Sequence, residues 1–201
     1  MVREYRSKLR EQQARVNREA VVVVATEMFT SRGWVATTMA DVADAAHLTR
    51  QTVYQQFNGK LALLDACIVH ALAGGDGARV RDQPTFQAMG AGDREARIRA
   101  GGRWLRGAHE RSAAIQYVLD QAAVTDNAAA ARLAEREAAR WQEVAHAATL
   151  IVGNRPSDEV VDALWVLAGR RWWLLLVGER GWTGERWERW FASAAAATFA
   201  L

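Results

Sequence analysis

Cysteine occurs once in this 201-residue chain, proline twice, lysine twice and histidine four times. A single Cys67 cannot build a disulfide framework. With His47, His70, His109 and His146 scattered along the chain, it also leaves no Cys/His cluster for a structural zinc site. A reducing compartment is the simplest reading. Two prolines and 15 glycines exclude collagen-like and proline-rich disordered chains. No apolar run is long enough for a membrane span, because the longest, residues 163–177, is broken by Arg170 and Arg171. The amino terminus, MVREYRSKLREQQAR, is charged and lacks the apolar stretch of a signal peptide. A soluble, cytoplasmic protein without membrane contact is expected.

Half of the residues are hydrophobic and 24% are charged, which suits one globular unit or two small, closely joined ones. The formal net charge is only +3, yet it is unevenly placed. Residues 1–18 carry Arg3, Arg6, Lys8, Arg10, Arg15 and Arg18 against Glu4 and Glu11, whereas from Leu61 onward 17 arginines face 17 acids. A positive excess confined to one end favours a polyanionic partner there, and a neutral remainder favours a different task.

Alternating β-branched runs are nearly absent, so the periodicity is helical and the fold class is all-α. A first helix is expected from about Arg10 to Ser31, burying Val21, Val22, Ala25 and Phe29 and stopping at Gly33. Thr38 then caps a short helix, Met39 to Ala46, and Thr49 caps a second, Arg50 to Phe57. A fourth starts near Gly59, carries Leu61, Leu64 and Ile68, and ends at the Gly74-Gly75-Asp76-Gly77 cluster. Residues 74–92 are expected to be a loop. Further helices are expected over Asp93–His109, Ser112–Ala123, Asp126–Val152, a stretch after Pro156 and the Ser157 cap that reaches Arg180, and Thr183–Ala200. The helix ending at Arg180 is apolar over most of its circumference, and the last shows the stripe Trp187, Trp190, Phe191, Ala194 and Thr198. Together they carry more apolar surface than one small domain hides, which points to a subunit interface.

Residues 38–60, TMADVADAAHLTRQTVYQQFNGK, are the most specific signal. Two capped short helices joined by Ala46-His47-Leu48 match a helix-turn-helix, in which the first helix braces the second against a DNA major groove. Arg50, Gln51 and Gln55 suit base edges, and Thr49, Thr52 and Tyr54 offer hydroxyls to phosphates or bases. Thr38, at the cap of the first short helix, completes this candidate set. An ordinary helical hairpin with a polar solvent face is the competing reading. The flanking pattern Val21-Val22, Ala25, Phe29, Gly33-Trp34, Thr38-Met39, Val42-Ala43, Ala46, Leu48-Thr49, Tyr54, Phe57, Lys60 and Leu63-Leu64 resembles the tetracycline-repressor (TetR) family of bacterial transcription regulators. The resemblance implies an amino-terminal DNA-binding domain (residues 1–60), a ligand-binding and dimerisation domain (residues 61–201), a nine-helix subunit, and a homodimer made by the last two helices. It places a phosphate-binding lysine at Lys60, where a helix amino terminus adds its dipole. It also implies a palindromic double-stranded DNA operator. One departure is His47, where the family usually has glycine because the backbone tends to the left-handed region.

Eight of the nine tryptophans lie beyond residue 100. By the resemblance, the middle helices line a pocket for a hydrophobic small-molecule effector, to which this sequence offers Trp104, Leu105, Ala108, Ile115, Gln116, Leu119, Trp141, Val144, Trp165 and Trp172. Core filling is the plainer account of any one tryptophan. Gln116, Tyr117, His109 and His146 are candidate polar anchors. Two rivals to a regulator are a helical protein-binding scaffold and a helical-bundle enzyme. Glu143-x-x-His146 is the spacing used by di-iron bundles, but no second copy exists. No catalytic residue, metal site or cofactor is expected.

Overall fold

In the computed structural model, residues 2–200 are described except 75, 76 and 78, with only the backbone for residues 2–8 and 10. The helices are α1 (Val2–Ala36), α2 (Met39–Ala45), α3 (Arg50–Gln56), α4 (Lys60–Ala73), α5 (Pro84–Gln87), α6 (Arg94–Ala122), α7 (Asn127–Val152), α8 (Asp158–Leu167), α9 (Arg170–Trp173, continued as a π-helix over Leu174–Glu179) and α10 (Gly184–Thr198). No strand occurs among the described residues. With α8 and α9 counted as two arms of one interrupted helix, the described residues hold nine helices, as the resemblance implies.

Four boundaries differ from expectation, each for a physical reason. The first helix begins at Val2 rather than near Arg10, and Gly33 breaks it with φ 80° and ψ 179°. The cationic side chains of Arg3, Arg6, Lys8 and Arg10 lie outside the described residues. Residues 74–92 are not simply a loop: Pro84 opens α5 at a position where its missing N–H costs nothing, and short 3-10 turns flank it. Phe86 and Met89 anchor that strap by being buried. The two helices expected over 93–123 are one, α6, because the Ser112 hydroxyl donates to the Ala108 carbonyl at 2.6 Å, a bond made inside a continuing helix, rather than capping a new one.

The fourth is the helix expected over 157–180, which is interrupted at Ala168-Gly169. A Cβ at Gly169 would stand 3.0 Å from the Val166 carbonyl oxygen, so glycine permits the break. The break turns Arg170 inward, where its guanidinium meets Asp120 of α6 and Glu137 of α7. The apolar circumference of this helix is covered in part within the subunit: Val161, Leu164 and Trp173 are buried, whereas Val166, Trp172 and Leu175 are exposed.

Two hydrophobic clusters result. One joins Val21, Phe29, Val42, Val53, Phe57, Leu63 and Ile68 to the carboxy-terminal half of α6 through Ile115, Val118 and Leu119. The other joins Phe86, Met89, Ile98, Leu164, Trp173, Trp187 and Phe191. Helix α6, about 43 Å long from its 29 residues, is a shaft common to both. Trp187, Phe191 and Thr198 of the expected interface stripe are buried inside the subunit, Trp187 within 5.2 Å of Trp173 by ring centroid. The outward apolar residues of this region are instead Val166, Trp172 and Leu175.

Candidate nucleic-acid interface and ligand cavity

The turn between α2 and α3 is built from the backbone outward. Thr38 accepts from the Asp41 amide at 3.1 Å and donates to the Asp41 carboxylate at 2.7 Å, closing the amino end of α2. The carboxy end closes as a Schellman motif, with the Leu48 amide on the Ala43 carbonyl (2.9 Å) and the His47 amide on the Asp44 carbonyl (3.1 Å). This geometry puts His47 at φ 55°, and it is the one non-glycine residue with positive φ among those described. Thr49 caps α3, accepting from the Thr52 amide at 3.1 Å, and the two hydroxyls bond each other at 2.8 Å.

Val53 and Phe57 hold α3 in the core, so its opposite face is turned out. Arg50, Gln51, Tyr54 and Gln55 are exposed together on it, with Thr38 and Thr49 exposed nearby and Thr52 half-buried. Lys60 begins α4, and its ammonium lies 4.2 Å from the Trp34 ring centre. Partial burial lowers the Lys60 pKa, with Asp126 opposing. Arg18, counted in the basic arm, instead donates to the Gln56 carbonyl at 2.8 Å and covers the Phe57 ring. Of the expected DNA-facing residues, Arg50, Gln51, Tyr54 and Gln55 on α3 and the capping Thr38 and Thr49 are thus exposed, while Thr52 and Lys60 are half-buried.

A second feature is a cavity of about 270 Å³ enclosed by α4, the strap, α6, α7, α8 and α10. Trp104, Leu105, Ala108, Gln116, Leu119 and Val144 line it, as does His109. Trp141 and Trp165 do not: Trp141 donates its indole N–H to Asp162 at 2.7 Å, and Trp165 lies under the Arg140 guanidinium at 4.6 Å. Ile115 is in the first hydrophobic cluster, and Tyr117 and Trp172 are exposed. His146 stacks on Phe86, which reaches the cavity from the strap. Glu143 of the Glu-x-x-His pair is clasped by Arg81 through both carboxylate oxygens.

Sequence reasoning missed Phe86, Met89 and Ile98 on the cavity wall and the ionic group beside it. Arg170 donates to Asp120 at 2.9 Å and to Glu137 at 2.5 Å, and Arg140 holds the other Glu137 oxygen at 2.7 Å. These bonds keep the Glu137 carboxyl below the usual range although burial works against them. The Glu137–Arg140 spacing was a visible signal; the distant partners were not.

An all-helical subunit with two capped helices joined by a tight turn, and a polar second helix turned outward, defines the class of helix-turn-helix DNA-binding transcription regulators. Residues 21–67 match the model of the bacterial regulatory proteins of the tetR family, so that this region carries the family's DNA-binding unit. Over 90% of this chain and 98% of the other, the structure is similar to a crystal structure from Rhodococcus sp. assigned to the TetR-family transcriptional regulators, with a TM-score of 0.67 and 16% identity, a likeness of fold. No curated protein matches the chain. The family match and the fold point to a regulator and not to an enzyme.

Proposed function

We propose that the protein is a homodimeric transcriptional repressor, cytoplasmic, that leaves a palindromic operator when a hydrophobic small molecule enters the cavity. Residues 1–60 serve DNA and residues 61–201 serve the ligand and the dimer. Arg50, Gln51 and Gln55 read base edges; Thr38, Thr49, Thr52, Tyr54 and Lys60 hold phosphates. Trp104, Ala108, Gln116 and Leu119 bound the effector. The outward Val166, Trp172 and Leu175 meet a second subunit.

The observation that carries this reading is the course of α4. It begins at Lys60, four residues beyond the end of α3 at Gln56, and its Ile68 and Leu72 reach the cavity wall. A ligand that favours one tilt of α4 displaces Lys60 at the same time, and differential affinity for the two tilts supplies the coupling. Selection of bound duplexes from a random-sequence pool with the full chain tests the proposal. Inverted repeats with half-sites about 34–36 Å apart are expected. Recovery of no preferred sequence would overturn it.

A further inference from the structure

We infer that Trp34 is a positioning residue for DNA binding: its ring holds the Lys60 ammonium in place, still charged and with its N–H donors uncommitted, for a backbone phosphate. The inference rests on reading Lys60 as a phosphate contact.

The surroundings of Lys60 are unusual for a half-buried cation. It makes no hydrogen bond and no ion pair among the described residues. Arg18, which also lies over a ring at 4.2 Å, has by contrast given an N–H to the Gln56 carbonyl at 2.8 Å. Asp126 is the acid whose charge reaches Lys60, but its carboxylate caps α7, accepting from the Ala128 and Ala129 amides at 2.9 and 3.0 Å. What Lys60 has is the Trp34 ring, with 4.2 Å between the ammonium and the ring centre. The two kinds of partner differ in their effect. A carboxylate would neutralise the ammonium and take its protons, whereas an indole face attracts it through the ring quadrupole and leaves the charge whole. Gly59, the N-cap of α4, supplies no side-chain hydrogen bond, so the first-turn amides of this 14-residue helix add their dipole at the same end.

Trp34 is itself fixed. Gly33, at φ 80° and ψ 179°, breaks α1 one residue before it. The buried Thr37 hydroxyl donates to the Gly33 carbonyl at 2.9 Å, with the Met28 carbonyl also at 3.1 Å. The indole stacks on the fully buried Phe29, with ring centres 6.0 Å apart and 15° between the planes. A free lysine stem loses its rotamer freedom when it takes a phosphate, and a stem already held against a fixed ring loses less. Trp34 acts on affinity through that difference.

Binding of the selected operator by the full chain tests this in a cycle of wild type, Trp34→Leu, Lys60→Ala and the double variant, with Trp34→Phe beside it. Trp34→Leu keeps an apolar side chain and removes the ring, and it should weaken operator binding by about 2–10-fold. Trp34→Phe, which keeps a ring face, should restore most of the loss. With Lys60 already replaced by alanine, Trp34→Leu should change affinity by less than about twofold, because the side chain it positions is gone. An equal loss in both backgrounds would mark Trp34 as a packing residue and overturn the inference, as would wild-type affinity in Trp34→Leu. Wild-type affinity and salt slope in Lys60→Ala would remove the phosphate reading and the inference with it. A measurement on the wild type needs no variant to fold well. The chain has two lysines, so isotope-labelled lysine gives two ε-methylene signals, and the one missing from Lys60→Ala belongs to Lys60. Ring current should move that signal upfield of its value in an unstructured lysine, and the shift should persist in the operator complex. A Lys60 signal at the unstructured value, in the free protein or in the complex, overturns the inference.

Discussion

Arg170→Met should destabilise the protein by about 3–5 kcal/mol, because it leaves a buried carboxylate without a partner. The Arg170 and Asp120 side chains are 8% and 7% exposed, and they bond through two oxygens. Methionine fills most of the arginine volume, so the loss falls mainly on the orphaned Asp120 charge. Glu137 suffers less, since Arg140 continues to hold it at 2.7 Å. With a urea dependence of about 2 kcal/mol per M, the denaturation midpoint of the full chain should fall by about 1.5–2.5 M. The double variant Arg170→Met/Asp120→Leu should recover most of this, because it removes the charges as a pair and leaves Glu137–Arg140 balanced. A single variant within 1 kcal/mol of wild type, or a double variant no more stable than the single, would show that water reaches this group and that charge pairing does not set its energetics.

Three further outcomes follow from particular residues. The folded-state pKa of His109 is held near 3 while the unfolded ring titrates near 6.5, so the unfolded state takes up the proton first and stability falls as pH drops through that window. Between pH 6 and 5, urea unfolding of wild type should lose up to about 1.4 kcal/mol per pH unit more than His109→Gln does, and equal slopes would contradict the buried neutral ring. His47→Gly should raise stability by about 0.5–1 kcal/mol in thermal or urea unfolding, since it relieves a left-handed backbone at φ 55°, and a loss of stability would mean that the side chain does more than occupy the turn. Cys67, buried with its pKa raised to about 11 by burial, should react with an aromatic disulfide reagent only as the protein unfolds, and rapid labelling of native protein would contradict that burial.

The helix-turn-helix was legible in the sequence because its determinants are local: Thr38 and Thr49 cap in place, and Val42, Val53 and Phe57 repeat at helical spacing. The left-handed turn at His47 was expected from the resemblance to a family that usually has glycine there. Features set by distant contacts were not legible. Ser112 has the look of a cap, yet nothing nearby stops α6. Phe86 and Met89 stand in a glycine-rich stretch that reads as a loop, and only the neighbouring helices make them core. Arg170 looks like an interruption of an apolar run until Asp120, fifty residues earlier, is seen to receive it. The tryptophans misled in the same way. Trp141 and Trp165, expected at the cavity, instead meet Asp162 and Arg140, and Trp187 of the expected interface stripe packs on Trp173, Trp190 and Phe191 within the subunit.

The central claim is that the outward face of α3 and the start of α4 hold a DNA duplex. Its most direct test is the salt dependence of affinity for the selected operator, compared between the full-length wild type and Lys60→Ala. The account predicts that the slope of log affinity against log salt flattens by about 0.9 for each phosphate that loses its lysine, while base preference is kept. An unchanged slope, or affinity for every duplex equal to that for the operator, would contradict it.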